Sequence, residues 1–150
     1  SQTSFVEPHD NTHTVNSIGC GHNIIMVGSY DPTKPNQPIS YFSSSGPTRD
    51  GRKKPDFIAP GQNIWAAASL TGTKSYRKSG TSMSAPVVTG IIALMLSEAN
   101  ARNIQLNINQ IRDILIQSSE NNPPEDPLLK ARYGYGSIDI NTAISLIRAM

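Results

Sequence analysis

The stretch Ser-Gly-Thr-Ser-Met-Ser-Ala-Pro at residues 79–86 decides how the rest of this sequence is interpreted. It leads directly into an apolar run, and the pattern over residues 86–98 predicts a helix. Ser82 therefore lies at a helix start, where backbone N–H groups lack intrahelical acceptors and the helix dipole favours negative charge. Two interpretations stay open on this stretch alone. In the first, Ser82 is a nucleophile, and those N–H groups stabilise the oxyanion that develops when it attacks. In the second, Ser82 or Ser84 merely caps the helix.

Short apolar runs between turn-forming residues predict strands in the first half of the chain. Extended segments are expected at residues 23–28, 39–43 and 63–68, and residues 55–61 return the chain towards the core. The second half is dominated by helical patterns. Apolar strands followed by late helices predict an α/β fold with layered packing.

Three helices are predicted after the strands. The helix at residues 86–98 is apolar on nearly every side, so we expect it to be buried on most faces, with Gly90 as a point of close approach. Asn107 and Gln110 form a capping box for a helix that ends at about Ser118. The last helix begins near Asp139. Within the first helix, Pro86 is expected in the first turn, where a missing N–H is tolerated.

Composition excludes several classes of protein. The chain has 150 residues, enough for one compact domain, and it is 37% hydrophobic and only 16% charged, which argues against a coiled coil and against disorder. A formal net charge of +2 gives no indication of a nucleic-acid partner, and the longest apolar run, residues 91–96, is too short to cross a bilayer. One cysteine excludes an internal disulfide, and with three scattered histidines it argues against a zinc site.

Several further segments share an ordered pattern with a known family. They are the buried run Ile24–Gly28, Phe-Ser-Ser-Ser-Gly-Pro at 42–47, Lys-Pro-Asp-Phe-Ile-Ala-Pro-Gly at 54–61, the helix at 106–115, and Tyr-Gly-Tyr-Gly-Ser-Ile-Asp at 133–139. Together with residues 79–86, these segments resemble the subtilisin-like serine proteases, or subtilases, whose nucleophile motif reads Gly-Thr-Ser-Met. The resemblance covers about residues 17–150.

The resemblance implies a fold, a reaction and a role for one residue. The expected fold is part of a three-layer αβα subtilisin-like domain with a mostly parallel sheet. Residues 1–150 would form the C-terminal portion of the catalytic domain, with residues 1–22 as an irregular lead-in or the end of an insertion. The expected function is that of a serine endopeptidase acting on peptides or proteins, in which Ser82 is the nucleophile and its backbone N–H contributes to the oxyanion hole.

The rest of the family's catalytic machinery has no match in these residues. A subtilase requires an Asp in Asp-(Ser/Thr)-Gly, a His in a His-Gly-Thr type motif and an oxyanion Asn after a glycine, and none of these patterns occurs here. His9, His13 and His22 are not followed by glycine. We therefore expect the Asp, His and Asn on an N-terminal half. We expect the 150-residue chain alone to be inactive and to self-associate, to pair with that half, or to rearrange. The alternative is a subtilase-like pseudoprotease with a scaffold or regulatory role.

Smaller expectations concern ions, location and single residues. No cofactor and no metal site are predicted. Calcium is implied only by resemblance, with Glu125 and Asp126 as a weak candidate pair. The resemblance also implies a secreted or cell-surface protein. Trp65 is expected in the core, Asp56 is expected to cap backbone N–H groups, and residues 49–54 are expected to form a solvated basic turn.

Overall fold

The computed structural model describes residues 10–69, 72 and 74–150. Its main sheet consists, in spatial order, of β1 (Val27–Tyr30), β2 (Phe57–Pro60), β6 (Ser137–Ile138) and β5 (Ser119–Glu120). β1, β2 and β6 run parallel, and β5 is antiparallel to β6. The sheet is therefore mostly parallel, as the sequence predicts.

In the described residues, a short 3-10 helix (Ile18–Cys20) and four α-helices complete the fold. The α-helices are α1 (Thr81–Ala101), α2 (Ile108–Gln117), α3 (Pro127–Lys130) and α4 (Ile140–Arg148). The predicted capping box is confirmed: Asn107 accepts the N–H of Gln110, whose side chain accepts the N–H of Asn107. The predicted start of the last helix is also confirmed, because Asp139 caps α4 by accepting two backbone N–H groups.

The hydrophobic core lies where α1, α2 and α4 meet β2. Phe57, Met95, Leu115, Ala143 and Ile147 are fully buried there. The apolar positions of α2 and α4 recur at helical spacing, so each of these helices buries one stripe and leaves the other side to solvent. This core fixes the C-terminal half of α1 against the sheet and against α4.

Helix α1 departs from the prediction in two respects. It begins at Thr81, so Pro86 lies inside the second turn, where its missing N–H removes the intrahelical partner of the Ser82 carbonyl. The expectation of burial on most faces is wrong for this chain: Val87 and Leu94 are 37% and 54% exposed. Gly90 is not a point of close approach either, since no described neighbour lies within 4 Å of where its β-carbon would stand.

The strand predictions are partly confirmed. β3 (Ile64–Ala67) falls within the predicted segment 63–68 and pairs antiparallel with β4 (Ser75–Lys78). β1 begins at Val27, later than predicted, and Ile24 is exposed. The segment 39–43 is not a strand; only Ile39 forms an isolated bridge to Tyr30.

Trp65 and Lys54 are each found in the environment opposite to the predicted one: Trp65 is exposed and Lys54 is buried. Trp65 is 61% exposed, so its prediction as a core residue is wrong; the guanidinium of Arg77 lies 4.4 Å from its ring centroid on the paired strand. Lys54 is 4% exposed, so it is not part of a solvated turn. Its ammonium binds the carboxylate of Asp56 and the carbonyl oxygen of Ile24. Asp56 also accepts the N–H of Met26, which confirms its predicted bond to the backbone.

Helix α1 is long and apolar enough to cross a membrane by length and composition, although the longest uninterrupted run, residues 91–96, is not. Its Val88, Met95 and Ala99 are buried in the core clusters formed with the sheet and the other helices. A core helix of an α/β domain satisfies the same length and composition criteria, and these contacts assign α1 to that role.

Candidate active site

Ser82 is the second residue of α1, and its side chain is exposed. The helix start is held in place by backbone contacts: the N–H of Gly80 donates to the carbonyl of Gly61 at 2.8 Å, and the N–H of Met83 donates back to Gly80 at 2.9 Å. At the second helical position the N–H of Ser82 has no intrahelical acceptor. The hydroxyl and the N–H of one residue are therefore both available at the positive end of a 21-residue helix.

Ser82 and Ser84 of the motif have different environments, and neither caps the helix. Gly80 is the N-cap residue, and no side-chain bond caps α1. Ser84 is fully buried and donates its hydroxyl to the carbonyl of Ala59 at 3.1 Å. No described residue forms a hydrogen bond with the hydroxyl of Ser82. The capping interpretation is therefore wrong, and Ser82 is the serine whose hydroxyl is free for chemistry.

Ser82 lies in a surface cleft of about 520 Å³. The lining residues are Tyr41, Phe42, Gln62, Ser79, Gly80, Thr81 and Ser82. Tyr41 is 85% exposed, and its ring packs edge-on against Phe42 with centroids 5.3 Å apart. The sequence analysis gave Tyr41 no role. Its position directly before Phe42, which begins the motif at 42–47 and also lines the cleft, is the signal that the sequence offers.

The structure brings neither described histidine into contact with Ser82. His13 is exposed, has a φ of 56°, and its Nδ1 lies 2.7 Å from the hydroxyl of Thr12. His22 is exposed, and its carbonyl oxygen accepts from Arg112. His9 lies outside the described residues. Within residues 10–69, 72 and 74–150, no imidazole forms the hydrogen bond to Ser82 that a general base requires.

Two aspartates that precede Ser82 are bound to their own neighbours. The hydroxyl of Thr33 donates to Asp31 at 2.6 Å and holds the pKa of that carboxyl below its ordinary value. The hydroxyl of Thr48, and then the guanidinium of Arg52, lower the pKa of Asp50 to about 2. Neither carboxylate orients an imidazole in the described structure.

Glu125 and Asp126 are the candidate calcium ligands from the sequence. In the part of the chain that is described, no group of three or more His, Cys, Asp or Glu residues is arranged to hold a metal ion. Asp126 uses one carboxylate oxygen to accept the N–H of Leu128 and cap α3. Glu125 is exposed beside it. The two residues therefore lie just before a short helix, with Asp126 as its N-cap.

Comparison with known proteins resolves the family. The model of the subtilase family matches residues 7–136. The chain belongs to the subtilase family. Serine protease AprX of Bacillus subtilis is 30% identical over 149 residues, which cover 89% of this chain and 32% of AprX. Pyrolysin of Pyrococcus furiosus is 32% identical over 126 residues, which cover 81% of this chain and 9% of pyrolysin.

A solved subtilase structure shows the same fold. The Clostridium perfringens CspB protease matches with a TM-score of 0.78 and 31% identity, over 93% of this chain and 30% of CspB. The predicted fold class, an α/β arrangement that forms part of a subtilisin-like domain, is thereby confirmed. The chain spans about a third of the length of AprX and of CspB.

Proposed function

We propose that this subtilase chain supplies the nucleophile of a serine endopeptidase and that Ser82 is that nucleophile. The observation that carries the proposal is the position of Ser82: it is exposed in the first turn of α1, at a cleft, and within the described residues its hydroxyl has no hydrogen-bond partner and its N–H has no intrahelical acceptor. The buried Ser84 provides the contrast within the same motif. Membership of the subtilase family supports the class of reaction.

The chemistry divides between this chain and groups from outside it. The hydroxyl oxygen of Ser82 attacks the scissile carbonyl, its proton passes to a histidine, and the resulting oxyanion accepts the N–H of Ser82. The C–N bond then breaks, the amine leaves with the histidine's proton, and water hydrolyses the acyl-enzyme. We assign the histidine, its orienting aspartate and the oxyanion asparagine to an N-terminal part of the same catalytic domain. Residues 1–150 would then be its C-terminal portion, with residues 1–22 as a lead-in.

Two open surfaces support that N-terminal part as the partner of this chain. β1 has β2 on one side, and among the described residues its other side carries only the isolated bridge from Tyr30 to Ile39. The apolar side chains of Val87, Leu94 and Leu96 on α1 are exposed. An unpaired strand edge and an apolar helix face both favour association. When the N-terminal part is absent, we expect these two surfaces to make the chain self-associate.

The proposal also covers substrate, cofactor and location. The substrate is a peptide or protein, because an exposed cleft beside the nucleophile can admit an extended chain. Acyl transfer by a serine, a histidine and oxyanion donors requires no cofactor. We place the protein outside the cell or on its surface, a proposal that cell fractionation and detection in the culture medium would test.

A covalent probe tests the assignment of Ser82. The full-length protein is treated with a fluorophosphonate, and the labelled peptide is identified by mass spectrometry. We expect a single label on Ser82 and the loss of both label and peptidase activity in Ser82→Ala, by at least about 10⁴-fold. Ser97→Ala removes an exposed hydroxyl from the same helix and is the matched control, with unchanged labelling.

The opposite result favours a different class of function. A folded full-length protein that takes up no label and hydrolyses no peptide would be a pseudoprotease with a scaffold or regulatory role. Labelling of another serine with Ser82→Ala fully active would reject the assignment of the nucleophile while leaving the enzyme class in place.

A further inference from the structure

A group of buried serines lies directly behind the candidate nucleophile. Ser29, Ser40, Ser43 and Ser84 are each at most 3% exposed. They come from β1, from the loop that follows it, and from α1. A buried hydroxyl is costly unless it is hydrogen-bonded, so the partners of these side chains indicate what they hold together.

One part of this group fixes the first turns of α1. The hydroxyl of Ser84 donates to the carbonyl of Ala59 on β2 at 3.1 Å. The N–H of Gly80 donates to the carbonyl of Gly61, just past the end of β2, at 2.8 Å. These two bonds lie on either side of Ser82 in the sequence. They tie the helix segment that carries the nucleophile to the carboxyl end of one strand.

The other part fixes the wall of the cleft. The hydroxyls of Ser29 and Ser40 are 2.8 Å apart, and the N–H of Ser40 donates to the carbonyl of Ser29 at 2.8 Å. The N–H of Ser29 donates to the hydroxyl of Ser43 at 3.1 Å. Ser40 and Ser43 flank Tyr41 and Phe42, so the loop that presents these two rings to the cleft is pinned to β1 on both sides.

The two parts meet at Gly61. Ser29 lies opposite Ala59 in the parallel register of β1 and β2. A β-carbon on Gly61 would collide with the hydroxyl of Ser84 and with the hydroxyl of Ser29. The contact is possible only because residue 61 has no side chain. Helix and wall are therefore packed against one shared point.

We propose that Ser29, Ser40 and Ser84, packed on Gly61, form a positioning layer that sets Ser82 relative to the wall made by Tyr41 and Phe42. This inference rests on the proposed function, in which Ser82 is the nucleophile. Ser84 positions the reacting oxygen, and Ser40 positions the wall that contacts substrate. Neither touches the substrate. A nucleophile displaced by about 1 Å loses on the order of 10²-fold in rate, so even a small relaxation of the helix start is measurable.

The two roles predict changes in different kinetic parameters. Ser84→Ala releases the helix start, so we expect kcat to fall on the order of tenfold while KM stays within about twofold. Ser40→Ala loosens the wall, so we expect KM to rise several-fold while kcat stays within about twofold. A general loss of stability would lower the amount of active enzyme and would not separate kcat from KM in this way.

The experiment uses the full-length enzyme with a peptide substrate, and fluorophosphonate titration gives the concentration of active sites. Ser145→Ala is the matched control: it removes a serine hydroxyl that donates to a carbonyl, that of Asn141 at 2.7 Å, on the distant and exposed side of α4. Its kcat and KM should equal those of the wild type. If Ser84→Ala does not fold, the KM of Ser40→Ala decides the matter.

The outcomes distinguish this inference from the proposed function. A wild type that labels at Ser82 together with a Ser84→Ala enzyme of unchanged kcat per active site overturns the positioning layer alone. So does a Ser40→Ala enzyme with unchanged KM. A wild type that does not label at Ser82 overturns the proposed function, and the positioning layer with it.

Discussion

The two faces of α1 differ far more in their surroundings than in their chemistry. One face buries Val88, Met95 and Ala99 against the sheet and the other helices. The other face carries residues of the same kind, including Leu94, which is 54% exposed. Because the helix is apolar on both faces, the sequence specifies two partners. The described chain supplies the partner of one face.

This difference connects the fold to the site. The covered face fixes the orientation of α1 and so places Ser82 at the cleft. The open face, and the free side of β1, are where we propose that the histidine-bearing part of the domain docks. The proposed nucleophile therefore lies at the start of a helix that packs one face within this chain and, in our proposal, presents its other face to the rest of the domain.

The largest expected effect is on reactivity. The 150-residue chain should react with fluorophosphonate at least about 10⁴-fold more slowly than the full-length protein, because no described histidine contacts Ser82 and we assign the base to the N-terminal part of the domain. The measurement is the rate of labelling of Ser82 in each protein at equal concentration. Rapid labelling of the isolated chain would contradict the proposal that the catalytic histidine is supplied by a part of the domain that docks on the open face of α1.

A pair of neighbouring substitutions measures the contrast between the faces directly. In the 150-residue chain, Met95→Ala should lower the free energy of unfolding by about 2–5 kcal/mol, because it leaves a cavity in a fully packed core. Leu94→Ala should change it by about 0.5 kcal/mol or less, as is usual at the surface. Urea unfolding followed by circular dichroism gives both values. Equal costs would mean that the two faces are equally packed.

The open face should also determine how the isolated chain behaves in solution. Leu94→Gln with Leu96→Gln should reduce dye binding and shift sedimentation towards the monomer, because the exposed apolar area shrinks. In the full-length protein the same double substitution should instead lower stability, since a partner would then bury both side chains. No change in the self-association of the isolated chain would argue against α1 as its contact surface.

The sequence predicts best those features that depend on local chemistry. The capping box at Asn107 and the cap at Asp139 are recognisable because each cap bonds to backbone within three residues. The motif at residues 79–86 is recognisable by its resemblance to the subtilase nucleophile motif, since the residues alone leave the capping interpretation open. Its separation into an exposed Ser82 and a buried Ser84 is not, because that depends on a carbonyl of β2 that is 25 residues away in sequence.

The wrong predictions of burial for Trp65 and for residues 86–98 have one physical cause. An apolar side chain favours burial, but the sequence does not show whether this chain supplies the surface that buries it. Trp65 was expected in the core, yet it lies on a two-stranded hairpin with Arg77 over its ring. Residues 86–98 were expected to be buried on most faces, and the structure agrees with that expectation only for the face that this chain covers. Lys54 shows the converse, since a charged residue is buried when a carboxylate and a carbonyl receive its ammonium.

The smallest expected effect concerns Glu98, at the margin between the faces of α1. Its carboxylate accepts from Arg148 on α4 at 3.0 Å and from Arg102 at 2.9 Å, and these bonds lower its pKa to about 2 from an ordinary value of 4.5. A lowered pKa in the folded state stabilises the fold at pH values above the unfolded pKa. That contribution is therefore complete above about pH 4.5 and is lost as the pH falls towards 2. Glu98→Gln should be less stable than the wild type at pH 6, with a difference that shrinks between pH 4.5 and 2.

Urea unfolding at a series of pH values measures this difference. Glu125→Gln is the charge-matched control, since Glu125 is exposed and forms no ion pair with a described residue. The effect should be small, because ion pairs near the surface contribute little to stability. A Glu98→Gln difference that stays constant down to pH 2 would mean that the link from α1 to α4 depends on packing and not on charge. The covered face would then owe its fixed geometry to the packing of Val88, Met95 and Ala99.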